Sequence, residues 1–193
     1  MSGENNKIKV FISYSHKDEG HLNEFVKHLA PLKTEGLVDT WHDRKIIAGQ
    51  DYQGKIDENF ENADVICLFV SADFLSSDAC LKEKANAIRL SKMRGAVVIP
   101  IIISRCGWTD DKEISKLLAL PTDGKPVIEF SDASIGWNTV YEGLKTAIKE
   151  ELKIKQLKIT PKFAAVLQSI DLLTKAHPNK EKVLLDDIFI YPD

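Results

Sequence analysis

The chain has 193 residues, 44% apolar and 28% charged, with a net charge of −3. That composition fits one domain of ordinary size with an appendage, and it excludes a fibrous or disordered chain. The weakly acidic balance argues against a general affinity for nucleic-acid backbone and leaves a local basic site open. Three cysteines, at 67, 80 and 106, show no CxxC spacing, so neither a disulfide framework nor a zinc site is indicated. The polar start Met1-Ser-Gly-Glu-Asn-Asn-Lys7 is no signal peptide. The longest apolar run, Ala96 to Ile103, is too short to span a bilayer. The expectation is a cytoplasmic chain with no membrane and no nucleic acid as partner.

Strand-length apolar runs alternate with helical patterns. Lys9 to Ser13 reads as a first strand. Leu22, Phe25, Val26, Leu29 and Leu32 then repeat at helical spacing, with Ser15 and Asp18 placed for a capping box. Gly36-Leu-Val38 is a second, weak strand. A polar loop with Gly49 and a short helix with Ile56 and Phe60 follow. Ala63 to Val70 is apolar throughout, as suits a strand of a parallel sheet covered on both faces.

Ser77-Asp78 can cap a helix running to about Met93. Ala96 to Ile103 is a fourth strand, and Pro100 within it predicts a bulge or an edge-facing position. Gly107 to Leu120 reads as irregular. Pro126 to Phe130 predicts a fifth strand, and Trp137, Val140, Tyr141, Leu144 and Ile148 a last core helix. Five βα units predict a flavodoxin-like, doubly wound α/β fold with a parallel sheet in the order 2-1-3-4-5. The pattern changes after Leu152. Residues 153–193 read as a helical extension, with Phe163, Val166, Leu167 and Ile170 on one stripe, leading toward a further domain. Residues 1–152 form the main domain.

In such a sheet ligands bind beyond the carboxyl ends of the strands, where the order reverses. Three loops meet there: Ser13 to Asp18, Trp41 to Asp51, and Ser71 to Phe74 with the helix bearing Cys80 and Glu83. Glu83 stands out. Its helical neighbours Ala79, Cys80 and Ala87 are small and apolar, so its carboxylate sits near the buried side of its helix. Burial there is costly without a partner or a wet cleft. Two readings stand: a structural carboxylate paired at the edge of the face, or a functional one in the cleft. Ser13-Tyr-Ser15 lacks the Gly-x-Ser-x-Gly elbow of serine hydrolases. Gly49 and Gly54 form no phosphate-cradling pattern. His16, His21 and His28 offer no tight ligand cluster.

Three segments carry a resemblance. Val10-Phe-Ile-Ser-Tyr-Ser-His-Lys-Asp18 resembles the first signature of bacterial Toll/interleukin-1 receptor (TIR) domains. Asp43-Arg-Lys-Ile-Ile-Ala-Gly-Gln-Asp51 is similar to their BB loop. Ser71-Ala-Asp-Phe-Leu-Ser-Ser-Asp-Ala-Cys-Leu-Lys-Glu83 is similar to the strand-end serine and the glutamate helix. The resemblance spans residues 7 to about 152. It implies the flavodoxin-like fold and cleavage of NAD+ between nicotinamide and ribose, with Glu83 catalytic and NAD+ a substrate, with no separate cofactor or metal. The implied substrate-binding residues are Ser13, Tyr14, Trp41, Asp43, Arg44, Lys45, Ser71 and Cys80. Where the family often carries Trp or Tyr before the cysteine, this chain has Ala79. Trp41, Tyr14 or Phe11 are the other aromatic residues at these loops.

The resemblance also implies TIR–TIR self-association, a C-terminal sensor or oligomerising domain, and a role in immune or antiphage signalling. A non-enzymatic TIR–TIR interaction module is the alternative. A nucleoside deoxyribosyltransferase is a third reading, distinguished by activity on free nucleosides. A phosphoacceptor receiver is disfavoured, because the third strand ends in Ser71 where that fold needs Asp.

Overall fold

The computed structural model describes residues 7–41 and 58–156. The chain separates into two compact units, residues 1–155 and 156–193. The sheet, both cores and the cleft belong to the first. Its elements in chain order are β1 (Ile8–Ser13), α1 (Glu19–His28), α2 (Ala30–Thr34), β2 (Val38–Trp41), β3 (Val65–Val70), α3 (Ala72–Leu75), α4 (Asp78–Arg94), β4 (Val97–Ile102) and α5 (Ala133–Gln156). Residues 58–61 are helical as well.

The four strands are parallel in the order β2-β1-β3-β4. This is the flavodoxin-like α/β arrangement expected, with one strand fewer among the described residues. Strand periodicity of two sorts the side chains between two cores. Ile8, Val10 and Ile12 of β1 and Val65, Cys67 and Phe69 of β3 pack with Leu22, Phe25, Leu29 and Leu32 and with Trp137, Val140, Leu144 and Ile148 of α5. Phe11 of β1 and Ile66, Leu68 and Val70 of β3 face the other way, against Phe60, Phe74 and the Cys80, Ala87 and Leu90 side of α4. The unbroken apolar run of β3 therefore follows from cover on both faces. Phe25, Phe69 and Trp137 form a ring trio with centroids 5.4 to 5.8 Å apart.

Two expectations are corrected. The predicted fifth strand is a 3₁₀ turn, Val127–Glu129. The outer edge of β4 is already taken, since the Leu120 N–H donates to Pro100 O and Ile102 N–H donates to Leu120 O, both at 2.8 Å. That leaves the later segment one bond to the sheet, from Ile128 N–H to Ile103 O at 3.2 Å. The same bonds show why Pro100 is tolerated: its missing N–H faces the outer edge, away from β3. The predicted capping box before α1 is also absent. Ser15 makes no side-chain cap, and neither does Asp18, whose carboxylate is bonded elsewhere. The α4 start holds as expected, with Ser77 Oγ accepting from Cys80 N–H at 3.4 Å. Gly95, at φ 76°, ends the helix in a left-handed conformation that glycine adopts without steric cost. The last helix runs through Gln156.

Candidate functional site

The carboxyl ends of β1 and β3 open into a cleft of about 1240 Å³. Tyr14, Ser15, His16 and Lys17, from the loop after β1, form one side. Asp73 and the first half of α4, from Ser77 to Asn86, form the other, and Phe11 and Phe60 lie at its base. The base is apolar because Phe11 belongs to the α4-facing core.

Glu83 lines this cleft and is partly buried. Helical spacing sets it beside Cys80 and Ala87, which turn into the core. Ser13 Oγ donates a hydrogen bond of 2.5 Å to Glu83 Oε2. Ser13 is the last residue of β1 and shares the parity of Phe11, so its side chain points to the face that α4 covers. It is 1% exposed and does not line the cleft.

A second carboxylate lies close by. Asp18 is buried and accepts from Ser71 Oγ at 2.6 Å, while Ser71 Oγ accepts from Phe74 N–H at 3.0 Å. Burial holds the Asp18 carboxyl above its ordinary range, against the opposing pull of the Ser71 hydroxyl and of His21. At the rim, Lys17 Nζ lies 2.7 Å from Asp73 Oδ1 and joins the loops after β1 and β3. Burial raises all three thiols, Cys67 to about 12, and Cys80 and Cys106 likewise upward. Glu83 and Asp18 add to the rise at Cys80. A thiol kept protonated is a poor nucleophile.

Of the residues singled out in the sequence, Tyr14, Cys80 and Glu83 line the cleft together. Ser13 and Ser71 do not; both are buried, Ser13 bonded to Glu83 and Ser71 to Asp18. Trp41 ends β2 in register with Phe11. Asp43, Arg44 and Lys45 lie outside the described residues. His16 and Lys17 at the rim and the buried Asp18 belong to the loop expected at the cleft, though none was singled out as a substrate contact. Their position directly after a strand end is the signal that places them there. Ala79 is exposed in the cleft wall. Among the described residues no group of three or more His, Cys, Asp or Glu is placed to hold a metal ion.

The basic face of α4 is largely paired. Lys84 Nζ is 2.6 Å from Asp111 Oδ2, Arg94 donates to Ala63 O at 2.5 Å, and Arg89 pairs with Glu61.

Comparison with protein families matches residues 10–144 to the TIR domain. This chain belongs to the TIR domain family. A relative, the uncharacterized protein y4lF of Sinorhizobium fredii, is 41% identical over 139 residues, which are 72% of this chain and 43% of that protein. The chain thus spans less than half the length of that curated relative. Among solved structures, the TIR domains of the activated Roq1 resistosome directly recognizing the pathogen effector XopQ align with a TM-score of 0.53 at 14% identity, over 72% of this chain and 99% of that one. The TIR domain of the Toll-related receptor TRR-2 from Hydra magnipapillata aligns with a TM-score of 0.49 at 17% identity, over 70% and 97%. The Roq1 alignment supports the TIR fold. No helix among the described residues is long and apolar enough to cross a membrane.

Proposed function

We propose that this TIR domain cleaves NAD+ at the bond between nicotinamide and ribose. The observation that carries the reading is Glu83: a partly buried carboxylate, anchored by Ser13 and facing a cleft at the sheet's carboxyl edge. Nicotinamide is a pyridinium leaving group and needs no general acid. As the C1′–N bond breaks, its electron pair stays on the nicotinamide nitrogen and positive charge grows on the ribose. A fixed carboxylate beside that carbon stabilises the cation, as in glycosidic transition states generally. Water then adds to C1′ and loses a proton, giving ADP-ribose, nicotinamide and H+. Attack by an internal nucleophile of the same molecule gives the cyclised product instead.

Arg44 and Lys45 stand as the diphosphate contacts, with the guanidinium fork favouring Arg44. Tyr14 and Trp41 stand as aromatic contacts, and Asp43 and Cys80 as further substrate neighbours. The protein works in the cytoplasm and self-associates through TIR–TIR contacts. Residues 153–193 couple it to a sensing or oligomerising part in immune or antiphage signalling. The Roq1 TIR domains belong to an activated resistosome, which supports assembly as the trigger.

One observation favours the second reading, a binding module without chemistry: the exposed Ala79 supplies no ring from the start of α4 on which nicotinamide can stack. Incubation of concentrated protein with NAD+, and separately with free nucleosides, read by mass spectrometry, separates the readings. Nicotinamide with linear or cyclic ADP-ribose supports the enzyme. No product from NAD+ at any concentration favours the module, and base exchange on nucleosides alone favours a deoxyribosyltransferase.

A further inference from the structure

We propose that Ser13 is a positioning residue that fixes the Glu83 carboxylate, and that it acts on turnover and not on substrate binding. The part of this that concerns turnover rests on the NAD+ reading above. Ser13 and Glu83 are 70 residues apart in sequence and come from two different elements, yet the hydroxyl and the carboxylate meet at 2.5 Å. Ser13 ends the central strand β1. Its backbone is set by pairing with β3, Ser13 opposite Leu68, and its side chain is 1% exposed. The donor therefore has little freedom to move. A glutamate side chain has three rotatable bonds and loses substantial rotamer freedom when held still. A donor fixed in the sheet supplies that restraint, so the carboxylate is oriented before substrate arrives.

The burial of Ser13 decides between two roles for it. A hydroxyl that contacts substrate must reach the cleft, and this one does not line it. It acts through Glu83 alone. Loss of a substrate contact raises KM, whereas loss of orientation at the reacting centre lowers kcat. The Asp18–Ser71 pair at the end of the neighbouring strand follows the same design, a buried serine holding a carboxylate below the cleft.

The test joins a stability cycle to kinetics on the full chain. Thermal melts are recorded for the native protein, Ser13→Ala, Glu83→Ala and the double variant. Direct contact predicts that the double variant's shift departs from the sum of the single shifts by about 3 °C or more. Additive shifts overturn the proposal, whatever the activity. Nicotinamide release by Ser13→Ala is then expected to show kcat lowered about 10- to 100-fold, as misplacement of a reacting group does, with KM within about twofold of native. An unchanged kcat, or a rise in KM alone, also overturns it. Absence of turnover in the native protein counts against the NAD+ reading, and the melts still decide whether Ser13 holds Glu83.

Discussion

Ser71 donates a 2.6 Å hydrogen bond to Asp18, and both side chains are buried where the loop after β1 meets the end of β3. The contact links two adjacent strand ends beneath the cleft, and it takes the carboxylate that the sequence offers as a helix cap.

That burial has a sign. Asp18 binds its proton more tightly in the folded chain than in the unfolded one. Its contribution to stability is therefore fully present below its unfolded value and is lost as pH rises through its folded value. Lys17, His21 and Asp73 face the same carboxylate. Asp18→Asn keeps an acceptor for Ser71 and removes the ionisation. The melting temperature of the variant minus that of the native protein should grow as pH rises from about 4 toward 7. A difference that is flat or shrinks over that range contradicts this reading of Asp18.

Asp111 runs the other way. Burial would raise its carboxyl, but the Ile114 and Glu113 N–H groups and Lys84 together hold it below its usual range. The stability it supplies is present above its unfolded value and fades as pH falls through its folded one. Asp111→Ala should cost about 1–3 kcal/mol at neutral pH, since it leaves Lys84 and two N–H groups without that partner. The cost should shrink in acid, as read by urea unfolding at both pH values.

At the opposite edge of the sheet, Lys155 ties the last turn of α5 to the start of β1. Its ammonium lies 2.6 Å from Asp64 Oδ2 and 3.1 Å from Lys7 O, and Asp64 also accepts from Lys9 N–H at 2.7 Å. Lys155→Met should cost about 1–3 kcal/mol by chemical denaturation, as loss of a hydrogen bond between charged groups does. It should leave nicotinamide release unchanged, because the pair is remote from the cleft.

Much of the scaffold was legible. The run Val65 to Val70 is apolar at every position because both sheet faces are covered, and that is visible without knowing what covers them. The first strand, Lys9 to Ser13, was legible too, and strand alternation puts Val10 and Ile12 on one face, Phe11 and Ser13 on the other. That α4 brings Glu83 to Ser13 was not, since nothing local specifies a contact across 70 residues. The missing fifth strand has a similar cause. Val127-Ile-Glu-Phe130 has strand-like composition, but whether it pairs depends on whether Leu120 has already taken the edge of β4. Asp18 shows a third kind of miss: a residue well placed to cap a helix was claimed by a distant hydroxyl.

Gly124 has φ 66°, and a Cβ there would lie 2.5 Å from the Trp108 ring. Gly124→Ala should therefore destabilise by about 1–3 kcal/mol, from a left-handed backbone and a clash with a rigid ring. Denaturant unfolding checks this, and a neutral result contradicts the close approach.

Assembly as the trigger predicts specific activity that rises with protein concentration, as mass action requires when the associated form is the active one. The measurement is nicotinamide release per mole of protein over a dilution series. Constant specific activity across about a hundredfold dilution contradicts the assembly requirement and leaves the chemistry standing.

In the proposed reaction the negative charge of Glu83 stabilises the ribose cation as the nicotinamide–ribose bond breaks. Glu83→Gln keeps the size of the side chain and an oxygen that can accept from Ser13, and it removes the negative charge. Nicotinamide release by the native protein and by this variant, at matched concentration and with both shown folded by thermal melting, is the most direct measurement. A loss of about 10²–10³-fold in rate is expected, the usual consequence of removing one preorganised electrostatic group. Native-level cleavage by a folded Gln variant would contradict it and move the chemistry to another carboxylate, with Asp73 at the rim the next to test.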